Sequence, residues 1–421
     1  MQDYQLITKC RFCGSDDLKE YINLGDMPLV NNLLDHPEQE HGKYPLRVFF
    51  CRKCTMSQLD CVVEPEVLFG HYLYRSGMSQ GFKKHCAQLA RDIYFDILKE
   101  EESLVVDIAS NDGTFLKEVQ FFSCTNGGNV NVLGVEPAKN LAKLANDNFV
   151  PTLNKFFDYN TAMDVVIKYG KANVITAQNV FAHVHDINGF MSGIHYLLDE
   201  KGTFIVECPW AGDLITNADF LNVYHEHCSY ISVRGMQEFV KKFGLCLDKI
   251  KYFKYMHTGT IRYYIKHEGE IDISNRWEIE NVICREERLN EVILYENEWP
   301  YSEAKIQDRI EKIKNDLLKE VLKCRNIDGI LGVGAAAKAT ILCNFCNLKG
   351  IVTAIADNTP EKQGKFQPGT GIPIVPFDTV KNEKRLMLVM PWNLGKEIAE
   401  NVRKLNPKAD LIVAVPKLEN L

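Results

Sequence analysis

Residues 105–115 read VVDIASNDGTF, and this stretch decides the fold of the chain. Two apolar residues that favour strands, Val105 and Val106, lead into Asp107, and a loop of small residues then runs to Gly113. Apolar residues resume at helical spacing after the loop, so the stretch predicts a strand, a tight loop and the start of a helix. Such a loop exposes backbone N–H groups, and Gly113 lets a ligand approach the backbone closely.

Later strands place further polar residues at the same edge of a predicted parallel sheet. Residues 130–135 and 172–177 are apolar strands, and they end in Glu136 and in Gln178 with Asn179. Because ligands of doubly wound sheets bind at the carboxyl ends of the strands, we expect these side chains to line one cleft. The loop does not read G-x-G-x-x-G, which disfavours a nicotinamide dinucleotide as the ligand.

An acidic loop after the first strand and a glutamate after the second resemble the core of S-adenosylmethionine methyltransferases. The resemblance implies S-adenosylmethionine as the cofactor, with Glu136 holding the two ribose hydroxyls. An ordinary strand–helix–strand unit without a ligand is the structural alternative. The residues that we expect to bind the cofactor are Asp107, Ala109, Ser110, Asn111, Asp112, Gly113, Glu136, Gln178 and Asn179.

Four cysteines near the start of the chain form two C-x-x-C pairs, Cys10 with Cys13 and Cys51 with Cys54. Two intervening residues let one turn aim both sulfurs at a single ion, and two such turns complete a tetrahedron. Four protein ligands leave no open coordination position, so we predict one structural Zn²⁺ that supports folding. Four reduced cysteines in a core are the alternative.

Composition limits the class of protein. A chain of 421 residues with 46% hydrophobic and 25% charged residues predicts a soluble globular protein of more than one domain. A net charge of −7 and no long basic run disfavour a nucleic-acid partner. No long apolar segment predicts a membrane span or a secretory signal, and 14 scattered cysteines favour the reducing cytoplasm over a disulfide framework.

The densest group of reactive side chains is residues 224–230, which read YHEHCSY. Its histidines are two residues apart, which is strand or loop spacing and does not fit the helical H-E-x-x-H zinc motif. If the run is extended, His225 and His227 point to one side and Tyr224 and Glu226 to the other. An acid–base cluster is favoured because histidine titrates near neutral pH, while metal binding and a structural turn remain open.

The C-terminal part alternates again between helices and strands. Helical spacing covers residues 275–323, with an interruption at Trp299 and Pro300. We predict a helical bridge followed by a second Rossmann-like sheet, whose strands are residues 327–333, 351–356, 386–390 and 411–415. A small-residue loop that opens a helix at residues 334–338 suits a diphosphate, and Lys338 adds charge there. A purely structural lobe is the alternative.

The order of short motifs resembles the sugar C-methyltransferases that act on nucleotide-linked 4-keto-deoxy sugars. Besides the cysteine pairs, the motifs are Y-x-Y-x-S at 72–76, S-N-D-G at 110–113, E-P at 136–137, N-x-x-A-H at 179–183, Y-x-E-H at 224–227, H-x-G-x-x-R at 257–262, G-x-x-A-K at 334–338, K-Q-G…P-G-T at 362–370 and P-W-N at 391–393. Two positions depart from the family pattern, because Ala339 replaces a frequent glycine and Gly371 a usual histidine.

Sequence pattern and resemblance together predict an α/β protein of three parts. A small zinc-binding domain is expected over residues 1–75, and a Rossmann-like S-adenosylmethionine methyltransferase domain over residues 76–270. Residues 271–421 would form the helical bridge and the Rossmann-like domain that holds the nucleotide end of the sugar. The sequence specifies neither the nucleotide and sugar nor the stereochemistry at C3, and it sets no oligomeric state.

The resemblance implies methyl transfer to C3 of a nucleotide-diphosphate 4-keto-deoxy sugar. His227 would remove the C3 proton, Glu226 and Tyr224 would orient it or contact the sugar, and His183 and Tyr74 would polarise or protonate the enolate oxygen. The substrate-binding residues implied are Tyr72, His257, Arg262, Gly334, Lys338 and Asp357. Methyl transfer to oxygen or nitrogen of a nucleotide sugar, and a non-methylating isomerase or binding protein on the same fold, are the alternatives.

Overall fold

The computed structural model describes residues 3–70, 75–98, 102–254, 259–269, 272–294, 305–323 and 329–421. The expectations for Tyr72, Tyr74 and His257, and for the interruption at Trp299 and Pro300, lie outside the described residues. Within the described residues, no helix combines the length and the apolar character that crossing a membrane requires.

The N-terminal part is a small antiparallel sheet. Its elements are β1 (Tyr4–Leu6), β2 (Leu18–Pro28), β3 (Lys43–Cys51), β4 (Ser57–Leu59), β5 (Cys61–Val63) and α1 (Pro65–Phe69). Strands β2, β3 and β4 are neighbours in sequence order, and β1 pairs separately with β5. Every second residue of β3 is buried, so one face of this sheet contributes Leu46, Val48 and Phe50 to the core.

The central part is a doubly wound α/β domain. Its strands are β6 (Glu102–Ile108), β7 (Asn129–Val135), β8 (Thr152–Leu153), β9 (Ala172–Gln178), β10 (Leu198–Pro209), β11 (Ser229–Tyr230), β12 (Leu245–Phe253) and β13 (Thr260–His267). Its helices are α2 (Gln80–Asp92), α3 (Thr114–Thr125), α4 (Lys139–Asp147), α5 (Tyr159–Tyr169), α6 (Ile187–Leu197), α7 (Ala211–Asn217) and α8 (Val233–Lys241). Helix α2 continues into a π-helical turn, Ile93–Ile97.

The seven-stranded sheet of this domain has the order β12-β13-β10-β9-β6-β7-β8. All neighbouring pairs from β10 to β8 are parallel, and β13 runs antiparallel to both of its neighbours. The strand order changes direction at β6, because β7 and β8 follow on one side of it and β9 and β10 on the other. The carboxyl ends of β6, β7 and β9 therefore open onto one crevice. Strand β11 is not part of this sheet and pairs with β4 of the N-terminal part.

The C-terminal part consists of two long helices and a second α/β sheet. Its elements are α9 (Arg276–Leu294), α10 (Ile306–Lys323), β14 (Ile330–Val333), α11 (Ala337–Phe345), β15 (Val352–Asp357), β16 (Ile374–Pro376), β17 (Met387–Val389), α12 (Gly395–Leu405), β18 (Leu411–Val413) and β19 (Glu419–Asn420). The sheet order is β16-β15-β14-β17-β18-β19, and the final strand alone is antiparallel. The predicted α/β fold class is confirmed.

One hydrophobic core joins the N-terminal sheet to the C-terminal domain. It contains Leu24 and Leu46 from the first, Leu342 and Phe345 from the second, and Phe220 from the central domain between them. The rings of Phe220 and Phe345 lie 5.1 Å apart, measured between their centroids. The three parts therefore pack against one another instead of being separated by linkers.

Strand β8 is short, because the Asn154 side chain donates to the carbonyl groups of Glu136 and Pro137 and turns the chain away from the sheet. The run from Tyr224 to His227 forms a turn, which is one of the two forms that its strand-or-loop spacing allows, since the His227 N–H donates to the Tyr224 carbonyl at 2.9 Å.

Candidate functional site

The loop at residues 109–113 turns sharply after β6. Ala109, Asn111 and Gly113 all have positive φ angles, of 51°, 54° and 76°. A left-handed conformation is uncommon for alanine, and such backbone strain concentrates at binding and catalytic sites. The loop is held by Glu136, whose carboxylate accepts from the N–H groups of Asn111 and Ala138, each at 2.8 Å.

Two carboxyl groups at this edge are almost fully buried. Burial raises the pKa of Glu136 to about 7, and it also raises the pKa of Asp107 to about 7. Asp107 accepts a hydrogen bond of 2.5 Å from the Thr176 hydroxyl and another from Gln178, so it ties β6 to β9. Asp112 is used in the loop itself, where it accepts from the Thr114 hydroxyl and the Gly77 N–H.

Asn179 completes the crevice from the end of β9. Its φ is 56°, and its backbone N–H donates to the Glu207 carbonyl at 2.7 Å. Its Oδ1 and the Ser110 hydroxyl are buried and find no partner among the described residues. The Ser110 hydroxyl lies against Gly134 of β7, whereas Asn179 stands at the carboxyl end of β9. Buried polar atoms are normally paired, so the unpaired Asn179 oxygen is an acceptor that a ligand would satisfy. This donor and acceptor set fits S-adenosylmethionine, which carries ribose hydroxyls for Glu136 and an ammonium group for an oxygen acceptor.

The four N-terminal cysteines converge on one point. Their sulfurs all lie within 4.8 Å of one another, with 3.5 Å between Cys10 and Cys54 and 3.6 Å between Cys13 and Cys51. Tetrahedral zinc with bonds of about 2.3 Å places its sulfurs about 3.8 Å apart, so the thiolate set fits Zn²⁺. Across the described ranges, no other set of three or more such ligand atoms comes together, and residues 224–230 contribute to none.

His227 is held between two oxygen atoms. Its Nδ1 lies 2.8 Å from the Asn222 carbonyl, and its Nε2 lies 2.8 Å from the Tyr224 hydroxyl. A carbonyl only accepts, so Nδ1 carries the proton and Nε2 is the basic nitrogen, which accepts from Tyr224. His225 takes a different direction and lies 3.3 Å from the carbonyls of Tyr44 and Pro45. Because the run is a turn and not extended, the two histidines do not point the same way.

His183 stands beside this pair. Its ring is 4.8 Å from that of His227 between centroids, in an edge-to-face arrangement, and Phe69 packs on it as well. Burial, with a smaller effect from the neighbouring His185, lowers the pKa of His183 to about 4. The ring is therefore neutral at neutral pH, and its buried Nδ1 has no partner within the described ranges.

The N-terminal and C-terminal parts of the chain contact two residues that lie close to His227, namely Glu226 and Asn222. Asn31, from the N-terminal part, donates to the buried carboxylate of Glu226 at 2.6 Å. Lys338, from α11, donates to the side-chain oxygen of Asn222. Both contacts span long sequence separations, so the cluster around His227 is assembled from all three parts of the chain.

Arg262 is not presented to a cleft, contrary to the expectation of a substrate contact. It lies on β13, its side chain is fully buried, and its guanidinium pairs with Glu207. Glu207 is also 2.7 Å from Nε2 of His85. A guanidinium without exposed surface cannot touch a bound sugar in this arrangement, so Arg262 supports the sheet beneath the site.

The loop that opens α11 is closed by Asp357. This carboxylate accepts from the N–H groups of Ala335 at 2.7 Å and Thr359 at 2.8 Å. Gly334 has a φ of 91° and abuts Pro391, where a side chain would clash. The predicted strand–loop–helix unit at residues 334–338 is present, and its loop is tight.

Sequence reasoning missed four polar residues around His227, namely Asn31, Asp219, Asn222 and Trp392. Trp392 belongs to the quoted P-W-N motif, and its indole N–H donates to Asp219 at 3.0 Å. Asn222 precedes Tyr224 by only two residues, and this closeness in sequence could have indicated that it belongs to the cluster. Asn31 contacts Glu226, and Asp219 contacts Trp392, across long stretches of chain, so no local pattern marked either residue.

Three family models match the chain in succession. Residues 10–69 match "Putative zinc binding domain", residues 82–250 match "Methyltransferase domain", and residues 255–416 match "C-methyltransferase C-terminal domain". The C-methyltransferase NovU of Streptomyces niveus is 31% identical over 426 aligned residues, which cover 99% of this chain and 98% of that protein.

Solved structures resemble this chain over a smaller part. The PH0226 protein of Pyrococcus horikoshii OT3 is 12% identical, with a TM-score of 0.37, and the match covers 46% of this chain and 95% of that one. The magnesium protoporphyrin IX methyltransferase of Synechocystis PCC 6803 with bound S-adenosylmethionine is 9% identical, with a TM-score of 0.33 and coverage of 45% and 80%. From the family models and the relative that spans its whole length, the chain belongs to the C-methyltransferase family and is an S-adenosylmethionine-dependent methyltransferase with an N-terminal zinc-binding domain.

Proposed function

We propose that this enzyme methylates C3 of a nucleotide-diphosphate 4-keto-deoxy sugar. The observation that carries the proposal is the Tyr224–His227 pair, in which the tautomer of the histidine leaves Nε2 as a proton acceptor. A small cavity beside it is lined by Ala182, after β9, and by Pro209, at the end of β10. The pair therefore stands at the carboxyl edge of the sheet, on the side of the cofactor crevice.

Methylation at carbon requires such a base. A C–H bond next to a ketone is a weak acid, and it must lose its proton before the carbon becomes a nucleophile. The C4 ketone of the sugar acidifies the C3 proton and takes the negative charge as an enolate. An oxygen or nitrogen atom of the sugar already carries a lone pair. Methyl transfer to oxygen or nitrogen would therefore depend less on the base that Tyr224 and His227 form.

His227 is the final acceptor of the C3 proton in the proposed reaction. The proton passes to Nε2 directly, or the Tyr224 hydroxyl takes it while giving its own proton to Nε2. Either route leaves an enolate on the sugar and an imidazolium at His227, with Glu226 beside the pair to orient it or contact the sugar. The imidazolium returns its proton to water after the transfer.

The enolate oxygen needs a hydrogen-bond donor in a site that excludes water. We assign this to Tyr74 as an expected donor and to His183 in the tautomer that carries its proton on Nδ1, the ring nitrogen without a partner among the described residues. When bound, the cofactor would supply an electrophilic methyl group on a sulfonium for the enolate carbon. Glu136 and Asn179 would hold the cofactor.

The nucleotide end of the substrate is assigned to the C-terminal domain. The loop from Gly334, closed by Asp357, opens α11, and no described side chain caps the N–H groups of its first turn, a setting that favours an anionic diphosphate. Tyr72 and His257 remain expected contacts of the sugar.

Hydrogen exchange tests the proposal without the cofactor. The wild-type protein should exchange the C3 proton of a nucleotide-linked 4-keto sugar in heavy water, and mass spectrometry should place an added methyl group on C3 once the cofactor is supplied. His227→Gln should bind nucleotide sugar and S-adenosylhomocysteine, while its exchange rate falls by about 10²–10⁴-fold.

A matched control is His195→Gln, a histidine on α6 whose ring packs on His267. This variant should exchange at the wild-type rate. Tyr224→Phe separates the two proton routes, because it abolishes exchange only if the tyrosine relays the proton. A methyl group found on oxygen or nitrogen, or wild-type exchange in His227→Gln, would overturn the proposed base and its reaction.

A further inference from the structure

We infer that Lys338, on α11 of the C-terminal domain, is a positioning residue for His227 and acts through Asn222. The inference rests on the proposed function, because it concerns the base of that reaction. In this role Lys338 does not bind the diphosphate, as the sequence had suggested. It fixes the direction of the Asn222 carbonyl, and that carbonyl in turn determines the tautomer of His227.

The connection consists of consecutive hydrogen bonds. The Lys338 ammonium donates to Oδ1 of Asn222, and the Asn222 backbone carbonyl accepts from Nδ1 of His227 at 2.8 Å. The other end of the same amide donates to Oδ2 of Asp219 at 2.6 Å, and Oδ1 of Asp219 accepts from the Trp392 indole at 3.0 Å. Two residues of the C-terminal domain thus fix the Asn222 side chain, Lys338 directly at its oxygen and Trp392 through Asp219 at its NH₂ group.

Charge makes the orientation of Asn222 unambiguous. Its oxygen faces a cation and its NH₂ group faces a fully buried carboxylate, so a flipped amide would place donor against donor and acceptor against acceptor. Because the cationic lysine and anionic Asp219 lie on opposite ends of one amide, their charges are balanced inside the cluster. A side chain fixed at both ends keeps its backbone carbonyl aimed at His227.

Loss of this alignment should reduce turnover more than binding. The Asn222 carbonyl keeps the proton on Nδ1 and the lone pair on Nε2, and a rotated ring would present the wrong nitrogen to Tyr224. A misplacement of about 1 Å at a reacting group can cost about 10²-fold in rate. A lysine that binds diphosphate would behave differently, since its removal would raise the KM for the nucleotide sugar.

The test compares kcat with KM in Lys338→Met and Lys338→Ala. The positioning role predicts a fall in kcat, and in the C3 exchange rate, of about 10–10²-fold with the KM for the nucleotide sugar nearly unchanged. Added ethylamine or propylamine should restore part of the kcat of Lys338→Ala, because the amine can donate to Asn222 from the space that the side chain leaves. A role limited to folding would show no such rescue.

Lys314→Met is the matched control, since this lysine of α10 packs over the ring of Phe345, a residue of α11 like Lys338, and belongs to no part of the Asn222 network described above. Trp392→Phe removes the other donor of the network and should lower kcat in the same way, which keeps the test open if Lys338 variants fail to fold. Wild-type kcat in Lys338→Met, or a loss that lies in KM alone, would overturn the inference. If the wild-type enzyme transfers a methyl group without exchanging the C3 proton, the proposed function is contradicted and the inference is not. The kcat values of the wild type and of Lys338→Met can then still be compared for the methyl transfer that the enzyme performs.

Discussion

Asp107 and Glu136 are carboxyl groups that the fold withdraws from water at the cofactor edge of the central sheet. Their pKa rises from ordinary values of 3.8 and 4.5 to about 7 in each case, mainly through burial. The folded protein therefore binds more protons than the unfolded chain between about pH 4 and pH 7. Its free energy of unfolding should fall as the pH rises through that window, so these groups favour the fold at low pH.

Asp107→Asn tests this linkage. The amide cannot ionise, so the free energy of unfolding of the variant should depend less on pH between 4 and 7, by at most about 4 kcal/mol across the window. Urea unfolding at several pH values measures the slope. Asp147→Asn, at an exposed carboxylate of α4, should keep the wild-type slope. Equal slopes for Asp107→Asn and the wild type would show that Asp107 is ionised throughout.

Glu136→Ala should weaken binding of S-adenosylhomocysteine by about 1–3 kcal/mol, because the ribose loses a carboxylate acceptor and the loop loses its anchor at Asn111. Isothermal titration calorimetry measures the affinity. The exposed Glu200 offers a control, and Glu200→Ala should bind as the wild type does. Unchanged affinity in Glu136→Ala would place the ribose elsewhere.

At the scale of single elements, β3 links the cysteine knuckles to the site. It ends at Cys51, and its first residues supply the carbonyls of Tyr44 and Pro45 that hold His225. Fixing the Cys51 end of the strand therefore helps to fix the turn that carries His227.

Cys51→Ser should lose the stoichiometric zinc of the wild type and lower Tm by at least about 5 °C, since metal binding contributes to folding. Elemental analysis and a thermal melt measure both effects. Cys124→Ser, at an exposed thiol of α3, should change neither zinc content nor Tm. Undamaged and active wild-type protein without zinc would contradict the assignment.

The sequence predicted the elements whose pattern is local. Strands β6, β7 and β9 are runs of apolar residues bounded by turn signals, and their carboxyl ends, where the cofactor was predicted to bind, lie at the switch of the sheet. Strand β2 was not predicted, because Gly25 and the register shifts on either side of Asn23 interrupt its alternation. Its stability comes from pairing with β3, which no local pattern records.

The site was predicted less completely than the fold, because many of its contacts join residues that are distant in sequence. Tyr224 and His227 are close in sequence, so their motif was visible. Asn31 and Lys338 reach the cluster across long stretches of chain, and their environment depends on how the parts pack. The buried state of Arg262 likewise follows from its pairing with Glu207 inside the sheet.

At the scale of the molecule, the core shared by the N-terminal and C-terminal parts predicts cooperative unfolding. Calorimetry should show one transition for these two parts. Phe345→Ala should lower the free energy of unfolding by about 3–5 kcal/mol, because it opens a cavity beside Phe220. Phe149→Ala, at a ring that is 87% exposed, should leave stability unchanged. Two separate transitions would show that the shared core does not couple them.

The contact of Asn222 with Lys338 also limits how such enzymes can diversify. A gene fusion that exchanged the C-terminal domain for that of a relative would replace Lys338 and Trp392 together with the loop from Gly334. Unless the new domain carried a cation and an indole at the same places, the hybrid would bind its new nucleotide with a misaligned base. Recombination should therefore preserve these two residues together, and engineers who seek a new sugar donor should graft the loop and leave α11 in place.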